Sequence, residues 1–221
     1  MALSTVIFDM DGLLIDSEPF WEEAGAETLK QYDIQLTREQ YQDTTGLRTR
    51  EWIDWWFGYF NIDKQFSADA ERTIIAKAIE KIRDHAEPLP GVEYIFRFFR
   101  EQHFQIGLAT SSPVALIDVV AEKLKITGFL NAISSAELLP NGKPHPQVYL
   151  HCAEKMNVRP VDCICFEDSF NGMIAAKAAR MKCVVIPSKD NYDAMRWNAA
   201  DLKIPGLEHF TIEELTLLQT K

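Results

Sequence analysis

The chain has 221 residues, 47% of which are hydrophobic, and its formal net charge at pH 7 is −10. This length and apolar content are sufficient for one globular domain, or for one domain that carries an insertion. The negative charge argues against broad contact with nucleic acid phosphates or anionic lipid, so neither a nucleic acid nor a membrane is predicted as a partner. The sequence does not indicate an oligomeric state, and a monomer is compatible with it.

The N-terminal segment and the cysteines predict a cytoplasmic protein. No basic segment precedes the first apolar stretch, and Asp9 and Asp11 would interrupt a signal peptide. No apolar run approaches the roughly 18 residues of a membrane-spanning helix. Four cysteines lie in apolar contexts without the paired spacing of a metal site, and they are predicted to be reduced core residues: Cys152, Cys163, Cys165 and Cys183.

The first apolar run ends in two carboxylates that are one residue apart. Residues 6–8 are typical of a strand, and Asp9, Met10, Asp11 and Gly12 follow them. Because side chains alternate along a strand, Asp9 and Asp11 are predicted on one side of the backbone and Met10 on the other. Two acids at this distance repel each other unless they share a cation or a proton. One is therefore expected to act as a nucleophile or metal ligand and the other as an acid.

The next part of the chain, residues 16–86, is predicted to be helical throughout. A first helix begins at residues 16–19, where a capping side chain, an early acid and a proline occur. A second helix begins at Thr37, because Gln40 stands at capping-box spacing from it. Five aromatic residues further on share one helix face and are predicted to pack in the core: Trp52, Trp55, Trp56, Tyr59 and Phe60.

From residues 88–91 onwards, short apolar strands alternate with helices, which indicates a domain boundary at this turn. The predicted strands are residues 105–109, 132–133, 163–166 and 184–186. Their unalternating apolar pattern is typical of a parallel sheet that is covered on both faces, and the first strand needs this sheet as its partner. The helical insertion is thereby expected beside the carboxyl end of the first strand, where ligands bind in open α/β sheets.

Three further polar clusters follow strands or precede a helix of this sheet. They are residues 110–112 (Thr-Ser-Ser), 142–144 (Gly-Lys-Pro) and 167–169 (Glu-Asp-Ser). Hydroxyls and the amides at helix N-termini bind phosphate oxygens, a lysine neutralises charge, and carboxylates hold a hard cation that bridges to phosphate. All of these clusters are expected at one edge of the sheet. Together they therefore predict a site that binds a phosphate group and a cation.

These motifs resemble those of the haloacid dehalogenase superfamily of phosphohydrolases. The motifs that carry the resemblance are Asp9-Met10-Asp11-Gly12, Thr110, Lys143 and Glu167-Asp168. Residues 11–19 and 142–146 are most similar to the branch that contains small sugar phosphatases and β-phosphoglucomutase. The resemblance implies an α/β, Rossmann-like parallel-sheet core formed by residues 1–15 and 87–221, with an all-helical cap domain inserted at residues 16–86.

The resemblance also implies roles for the acids. Asp9 would be the nucleophile that takes the phosphoryl group, and Asp11 the general acid and base. Mg²⁺ would be the cofactor, held by Asp9, the main-chain carbonyl of Asp11 and Asp168, with Glu167 nearby or acting through water. These positions match the motif residue by residue.

The phosphoryl oxygens would be held by Thr110, the main-chain amide of Ser111 and Lys143. The implied partner is a small phosphorylated metabolite, and the implied reaction is Mg²⁺-dependent hydrolysis of small phosphorylated sugars or polyols of the hexose 6-phosphate type. An aspartyl-phosphate intermediate would divide a very slow reaction into two easier steps, since accelerations of phosphate monoester hydrolysis reach about 10²¹.

The main alternative is phosphoryl transfer of the β-phosphoglucomutase type. Mutases of that kind have a histidine where this chain has Trp21, and an arginine where it has Thr49, with Arg48 and Arg50 as its neighbours. A tryptophan cannot shuttle a proton, so net hydrolysis is predicted.

Other functions fit the motifs and the insertion less well. A dehalogenase needs no second acid, a phosphonate hydrolase needs a lysine from the cap, and a phospho-accepting receiver has no use for a long insertion. A non-enzymic binding protein does not explain intact acids at every motif position. Three polar residues near the motifs are left outside the catalytic group, although each could contact a substrate: Arg48, His145 and Asn171.

Overall fold

A parallel β-sheet forms the centre of the computed structural model, which describes residues 3–220. Its strands are β1 (Thr5–Phe8), β2 (Gln105–Thr110), β3 (Ala132–Ser135), β4 (Cys163–Glu167), β5 (Lys182–Val185) and β6 (Leu202–Lys203). Their order is β3-β2-β1-β4-β5-β6, and each neighbouring pair is parallel. The predicted α/β class with a parallel sheet is confirmed. The two-residue strand β6 was not predicted, because it is too short to show a pattern.

Helices surround this sheet within residues 3–220. They are α1 (Glu18–Leu29), α2 (Arg38–Thr44), α3 (Thr49–Tyr59), α4 (Ser67–His85), α5 (Val92–Glu101), α6 (Val114–Lys123), α7 (Gln147–Lys155), α8 (Phe170–Ala178) and α9 (Ile212–Thr220). The first four lie between β1 and α5 in the chain and are called here the four-helix segment. None of the described helices combines the length and the apolar character needed to cross a membrane.

Strand β1 is buried on both of its faces. Val6 and Phe8 belong to one apolar cluster, whereas Ile7 belongs to a second cluster, as the alternation of a strand requires. Burial of each such side chain stabilises the fold by about 1.5–3 kcal/mol. The four cysteines are free and buried in the second cluster, which confirms their prediction as reduced core residues.

The four-helix segment leaves the sheet and returns to it at neighbouring points. The Asp16 amide donates to the Glu87 carbonyl at 2.9 Å, and the Leu89 amide donates to the Leu14 carbonyl at 3.0 Å. The chain thus passes out and back through two hydrogen-bonded connections. The division into a core and a cap at residues 15/16 and 86/87 stays a prediction, and these connections are compatible with it.

Local sequence signals account for much of the segment. The capping box at the start of α2 is confirmed, because the Gln40 amide donates to Thr37 Oγ1 and the Thr37 amide donates to Gln40 Oε1. Helix α4 buries Ile74, Ala78 and Ile82, which lie on one face, and it packs against α1 and α3. These residues belong to the same apolar cluster as Val6 and Phe8, so the segment and one face of the sheet share a core.

The prediction that the aromatic face of α3 packs in the core is wrong for two of its residues. Trp56 is only 4% exposed, but Trp55 is 62% and Tyr59 is 65% exposed. The reason is that α3 buries only the side that meets α4, and the aromatic row is wider than that side.

Candidate active site

The two acids after β1 occupy the carboxyl edge of the sheet. Asp9 is 5% exposed and Asp11 is partly exposed, whereas Met10 is buried in the apolar cluster. Gly12 has a φ of +70°, and a Cβ at this position would lie 2.2 Å from Asp168 Oδ2. A glycine is therefore required for the loop after β1 to approach Asp168 this closely.

Asp9, Glu167 and Asp168 form a buried acidic cluster. One carboxylate oxygen from each lies within 4.8 Å of the others. Burial raises the pKa of both Asp9 and Asp168 well above the ordinary aspartate value, and the neighbouring carboxylates raise them further. Asp168 Oδ1 is buried and makes no hydrogen bond within the described residues. An unpaired buried oxygen among repelling acids fits a cation site, and a set of only oxygen donors suits a hard divalent ion.

Lys143 is the cation that reaches this cluster from within the chain. Its side chain is 1% exposed, and its Nζ lies 2.6 Å from Asp9 Oδ1 and 2.6 Å from Glu167 Oε1. Burial alone would lower the pKa of Lys143, but attraction by Asp9 and Glu167 outweighs it and raises that pKa above the usual lysine value. Lys143 therefore carries a positive charge beside Asp9, and this single charge cannot balance three carboxylates.

Glu167 is held from three directions. Its Oε1 accepts from Lys143 and from the Tyr149 hydroxyl, and its Oε2 accepts from Ser169 Oγ at 3.1 Å. Gly172, in the first turn of α8, lies so close that a Cβ there would be 2.0 Å from Glu167 Oε1. Glu167 is fully buried and does not line the cavity, so its contacts hold Lys143 and the neighbouring acids in place.

Asp11 accepts hydrogen bonds at both carboxylate oxygens. Its Oδ1 accepts from Ser17 Oγ at 2.7 Å and from Trp21 Nε1 at 2.9 Å. Its Oδ2 accepts from Ser112 Oγ at 2.7 Å and from Thr110 Oγ1 at 3.3 Å. These donors fix the orientation of Asp11 between the sheet edge and α1.

The expectation of a capping side chain at the start of α1 needs a correction. Ser17 occupies the position before the helix but makes no capping bond, because its hydroxyl donates to Asp11. Sequence reasoning also missed Trp21, Ser112 and Tyr149 as partners of the site acids. No signal in the sequence near Tyr149 connects it with Glu167, since the pair is formed only when α7 packs against the sheet.

A cavity of about 290 Å³ lies between the sheet edge and the four-helix segment. The predicted site residues that line it are Asp9, Asp11, Thr110, Ser111, Lys143 and Asp168. The four-helix segment contributes acidic and aromatic side chains to the opposite wall: Glu18, Trp21, Glu22, Tyr41 and Trp52. Burial, and then the carboxylates of Asp11, Glu22 and Asp16, raise the pKa of Glu18 to about 8.

The residues left outside the catalytic group do not line this cavity. Arg48 donates to main-chain carbonyls of the loop after β3, including that of Leu139 at 2.7 Å. Asn171 Nδ2 donates to the Thr45 carbonyl at 2.8 Å, and His145 Nδ1 accepts from the Gln147 amide at 3.2 Å. Arg48 thereby connects the four-helix segment to the loop after β3, and Asn171 connects it to the first turn of α8.

A family model described as haloacid dehalogenase-like hydrolase matches residues 6–186. The chain belongs to this family. Hexitol phosphatase B of Escherichia coli K12 is 39% identical over 210 residues, which are 95% of each chain. A β-phosphoglucomutase of Bacillus subtilis is 29% identical over 189 residues, which are 82% of each chain.

The fold has close relatives among solved structures. The crystal structure of a β-phosphoglucomutase from Clostridium difficile superposes with a TM-score of 0.87, covering 100% of this chain and 98% of the other at 23% identity. At this identity the likeness establishes the fold alone. The resemblance and the Rossmann-like fold predicted from the sequence are confirmed, whereas the roles of the individual site residues stay predictions.

Proposed function

We propose that this protein hydrolyses phosphate monoesters of small sugars or sugar alcohols, of the hexose 6-phosphate type, through an aspartyl-phosphate on Asp9. That it is a phosphoric monoester hydrolase follows from its family and its phosphatase relative. The observation that carries the proposal is the convergence of Asp9, Asp11, Lys143 and Asp168 on one cavity. A nucleophile, a proton donor, a fixed cation and a metal-binding acid are the groups that phosphoryl transfer needs.

Asp9 is oriented as a nucleophile would be. Lys143 holds its Oδ1, and its Oδ2 makes no hydrogen bond within the described residues. In the first step, Asp9 Oδ2 would attack phosphorus, the ester oxygen–phosphorus bond would break, and Asp11 would give its proton to the leaving oxygen. In the second step, Asp11 would take a proton from water, which attacks the phosphorus and releases inorganic phosphate and free Asp9.

Asp11 must exchange a partner before it can act. Both of its oxygens accept hydrogen bonds, so the ester oxygen has to replace one of the donors, such as Trp21 or Ser112. Thr110, the Ser111 amide and Lys143 remain the proposed ligands of the phosphoryl oxygens. Mg²⁺ would be held by Asp9, the Asp11 carbonyl and Asp168, with Glu167 directly or through water, and it would neutralise the acids and polarise the phosphoryl group.

The opposite wall of the cavity suits a neutral polyol. Glu18 and Glu22 offer carboxyl groups that can hydrogen-bond to hydroxyls, and Trp21 and Trp52 offer apolar ring surface to the C–H groups of a sugar. The similarity to hexitol phosphatase B supports the same substrate class.

The mutase alternative requires cationic side chains that bind a second phosphate group, and few unpaired cations line the cavity. Among the described lining residues the cations are Arg38, Lys143 and Arg196. Arg38 pairs with Asp190, and Arg196 lies 3.7 Å from Asp43, so a second phosphate would have to displace an acid.

The neighbours of Thr49 are also engaged elsewhere. Arg50 pairs with Glu71, and Arg48 binds Glu51 and main-chain carbonyls. Trp21 is a donor only and cannot relay a proton to Asp11. These contacts favour hydrolysis over isomerisation.

A screen of phosphorylated sugars and sugar alcohols for phosphate release, with Mg²⁺ present, tests the proposal. We expect turnover of hexose 6-phosphates or hexitol phosphates and none by Asp9→Asn. Incubation with β-glucose 1-phosphate and a trace of the 1,6-bisphosphate separates the alternatives, because glucose 6-phosphate that accumulates faster than free phosphate would establish a mutase.

A further inference from the structure

Tyr149 touches both members of the buried ion pair beneath the nucleophile. It lies on α7 and is fully buried. Its hydroxyl donates to Glu167 Oε1, and the Lys143 Nζ lies 5.1 Å from the centroid of its ring. One side chain therefore offers a hydrogen bond to the acid and a π-face to the cation.

The hydroxyl is not needed to fill space. A phenylalanine would occupy nearly the same volume in the apolar cluster that Tyr149 shares with Ile7, Cys165 and Met173. A buried hydroxyl is unfavourable unless it is paired, and Glu167 is the partner that Tyr149 has within the described residues. The contact with Glu167 is thus what the hydroxyl contributes.

The position of Glu167 decides how Lys143 is shared. Lys143 Nζ is at 2.6 Å from both Glu167 Oε1 and Asp9 Oδ1. If Glu167 rotated away, Lys143 would be drawn towards Asp9 alone, where it would compete with a metal ion and reduce the nucleophilicity of Asp9. Tyr149 on one side and Ser169 on the other hold the two Glu167 oxygens against this rotation.

We infer that Tyr149 is a positioning residue, which fixes the Glu167 carboxylate so that Lys143 remains shared and Asp9 and Asp168 stay available to a divalent cation. The inference rests on the proposed function of this site, because it assigns Tyr149 to the metal and nucleophile of that reaction. Residues that orient the groups around a metal commonly change metal affinity or activity by about 10- to 100-fold when they are removed.

Tyr149→Phe tests the inference, since it retains the ring and removes only the hydroxyl. We expect the Mg²⁺ affinity of the substrate-free protein, measured by calorimetric titration, to fall about 10-fold. We expect kcat for p-nitrophenyl phosphate to fall by a similar factor while KM at saturating Mg²⁺ changes little. The unfolding midpoint in excess chelator should fall only by the effect of losing one buried hydrogen bond.

Tyr94→Phe is the matched control. Its hydroxyl also donates one hydrogen bond, to the Phe210 carbonyl at 2.8 Å, and that carbonyl is no part of the acidic cluster. Within the described residues the Tyr94 hydroxyl contacts neither Glu167 nor Lys143, so this variant should leave both Mg²⁺ affinity and kcat unchanged. Wild-type Mg²⁺ affinity and kcat in Tyr149→Phe would overturn the inference, as would a fall in stability alone.

A double-mutant cycle with Glu167→Gln tests whether Tyr149 acts through Glu167. If it does, Tyr149→Phe will add little to the loss of Mg²⁺ affinity already caused by Glu167→Gln. Additive losses would overturn the inference. Should the wild type bind Mg²⁺ without hydrolysing any phosphate ester, the proposed function would fail, and the same titrations would still decide the role of Tyr149.

Discussion

The two walls of the cavity differ in how their charged groups are paired. At the sheet edge, Asp9 and Glu167 are buried and share Lys143, so these two carboxylates are held by a partner, and Asp168 Oδ1 is a buried acid oxygen left for a cation. On the wall formed by the four-helix segment, the Glu18 carboxylate makes no hydrogen bond or ion pair within the described residues, and Glu22 is exposed. Groups that are already paired are preorganised for one chemistry, whereas unpaired groups are free to bind the variable part of a substrate.

This contrast assigns different consequences to changes on the two walls. A change at the sheet edge should affect every phosphate ester equally, because all of them present the same phosphoryl group. A change on the helical wall should distinguish esters that carry hydroxyls from esters that do not.

The largest effect is expected at Asp9. Asp9→Asn removes the nucleophile, so turnover of all phosphate esters should fall by at least about 1,000-fold with the fold retained. Phosphate release and covalent labelling measure this, with circular dichroism to check the fold. Asp11→Asn should slow the steps that need proton transfer while covalent labelling of Asp9 remains. Substantial steady turnover by pure Asp9→Asn would refute the mechanism.

The next effect concerns the acidic cluster. A dianionic phosphate beside Asp9, Glu167 and Asp168 is repelled without a cation, so excess chelator should stop turnover and added Mg²⁺ should restore it. Asp168→Ala should raise the Mg²⁺ concentration required for half-maximal rate by about 10-fold or more, or abolish activity. Full turnover in chelator, by protein shown to be metal-free, would contradict this prediction.

A smaller and more selective effect is expected at Glu18. Glu18→Gln should raise KM for a hexitol phosphate by about 5- to 20-fold, because it would weaken one or two hydrogen bonds to substrate hydroxyls. It should leave KM for p-nitrophenyl phosphate unchanged. Glu22→Gln, one turn further along α1 and exposed, makes the same substitution and should change KM less. An equal rise in KM for the hexitol phosphate and for p-nitrophenyl phosphate would show that Glu18 does not recognise substrate hydroxyls as proposed.

The smallest effect concerns stability at alkaline pH. The pKa of Glu18 is raised to about 8 in the folded protein from about 4.3 in the unfolded chain, so between these values the folded state binds more protons. The contribution of Glu18 to stability is therefore lost as pH rises through this window. Glu18→Gln should be more stable than the wild type at pH 8.5 by at least about 1 kcal/mol, because each pKa unit is worth about 1.4 kcal/mol before solvent screening of this partly exposed group, and the difference should shrink at pH 5.

Urea unfolding in chelator at the two pH values measures that difference. The Glu22→Gln protein provides the comparison, since it lacks the same charge at an exposed position. A stability difference between Glu18→Gln and the wild type that is independent of pH would contradict the prediction.

Much of the fold and part of the site could be predicted because the signals are local. The alternation at Asp9, Met10 and Asp11 follows from the geometry of one strand, and the capping box at Thr37 and Gln40 from one helical turn. The parallel sheet follows from short apolar runs that alternate with helices. Each of these features depends on residues within a few positions of one another.

The sequence by itself determined which acids, hydroxyls and lysine meet at the sheet edge, since parallel strands bring their carboxyl ends together. Only the tertiary structure decided what holds them. Trp21 donates to Asp11 because α1 begins close to the loop after β1, and Tyr149 reaches Glu167 because α7 packs against β2 and β3. These contacts join elements that are distant in sequence, and residue periodicity reports which face of a helix is apolar but not which neighbour that face will meet.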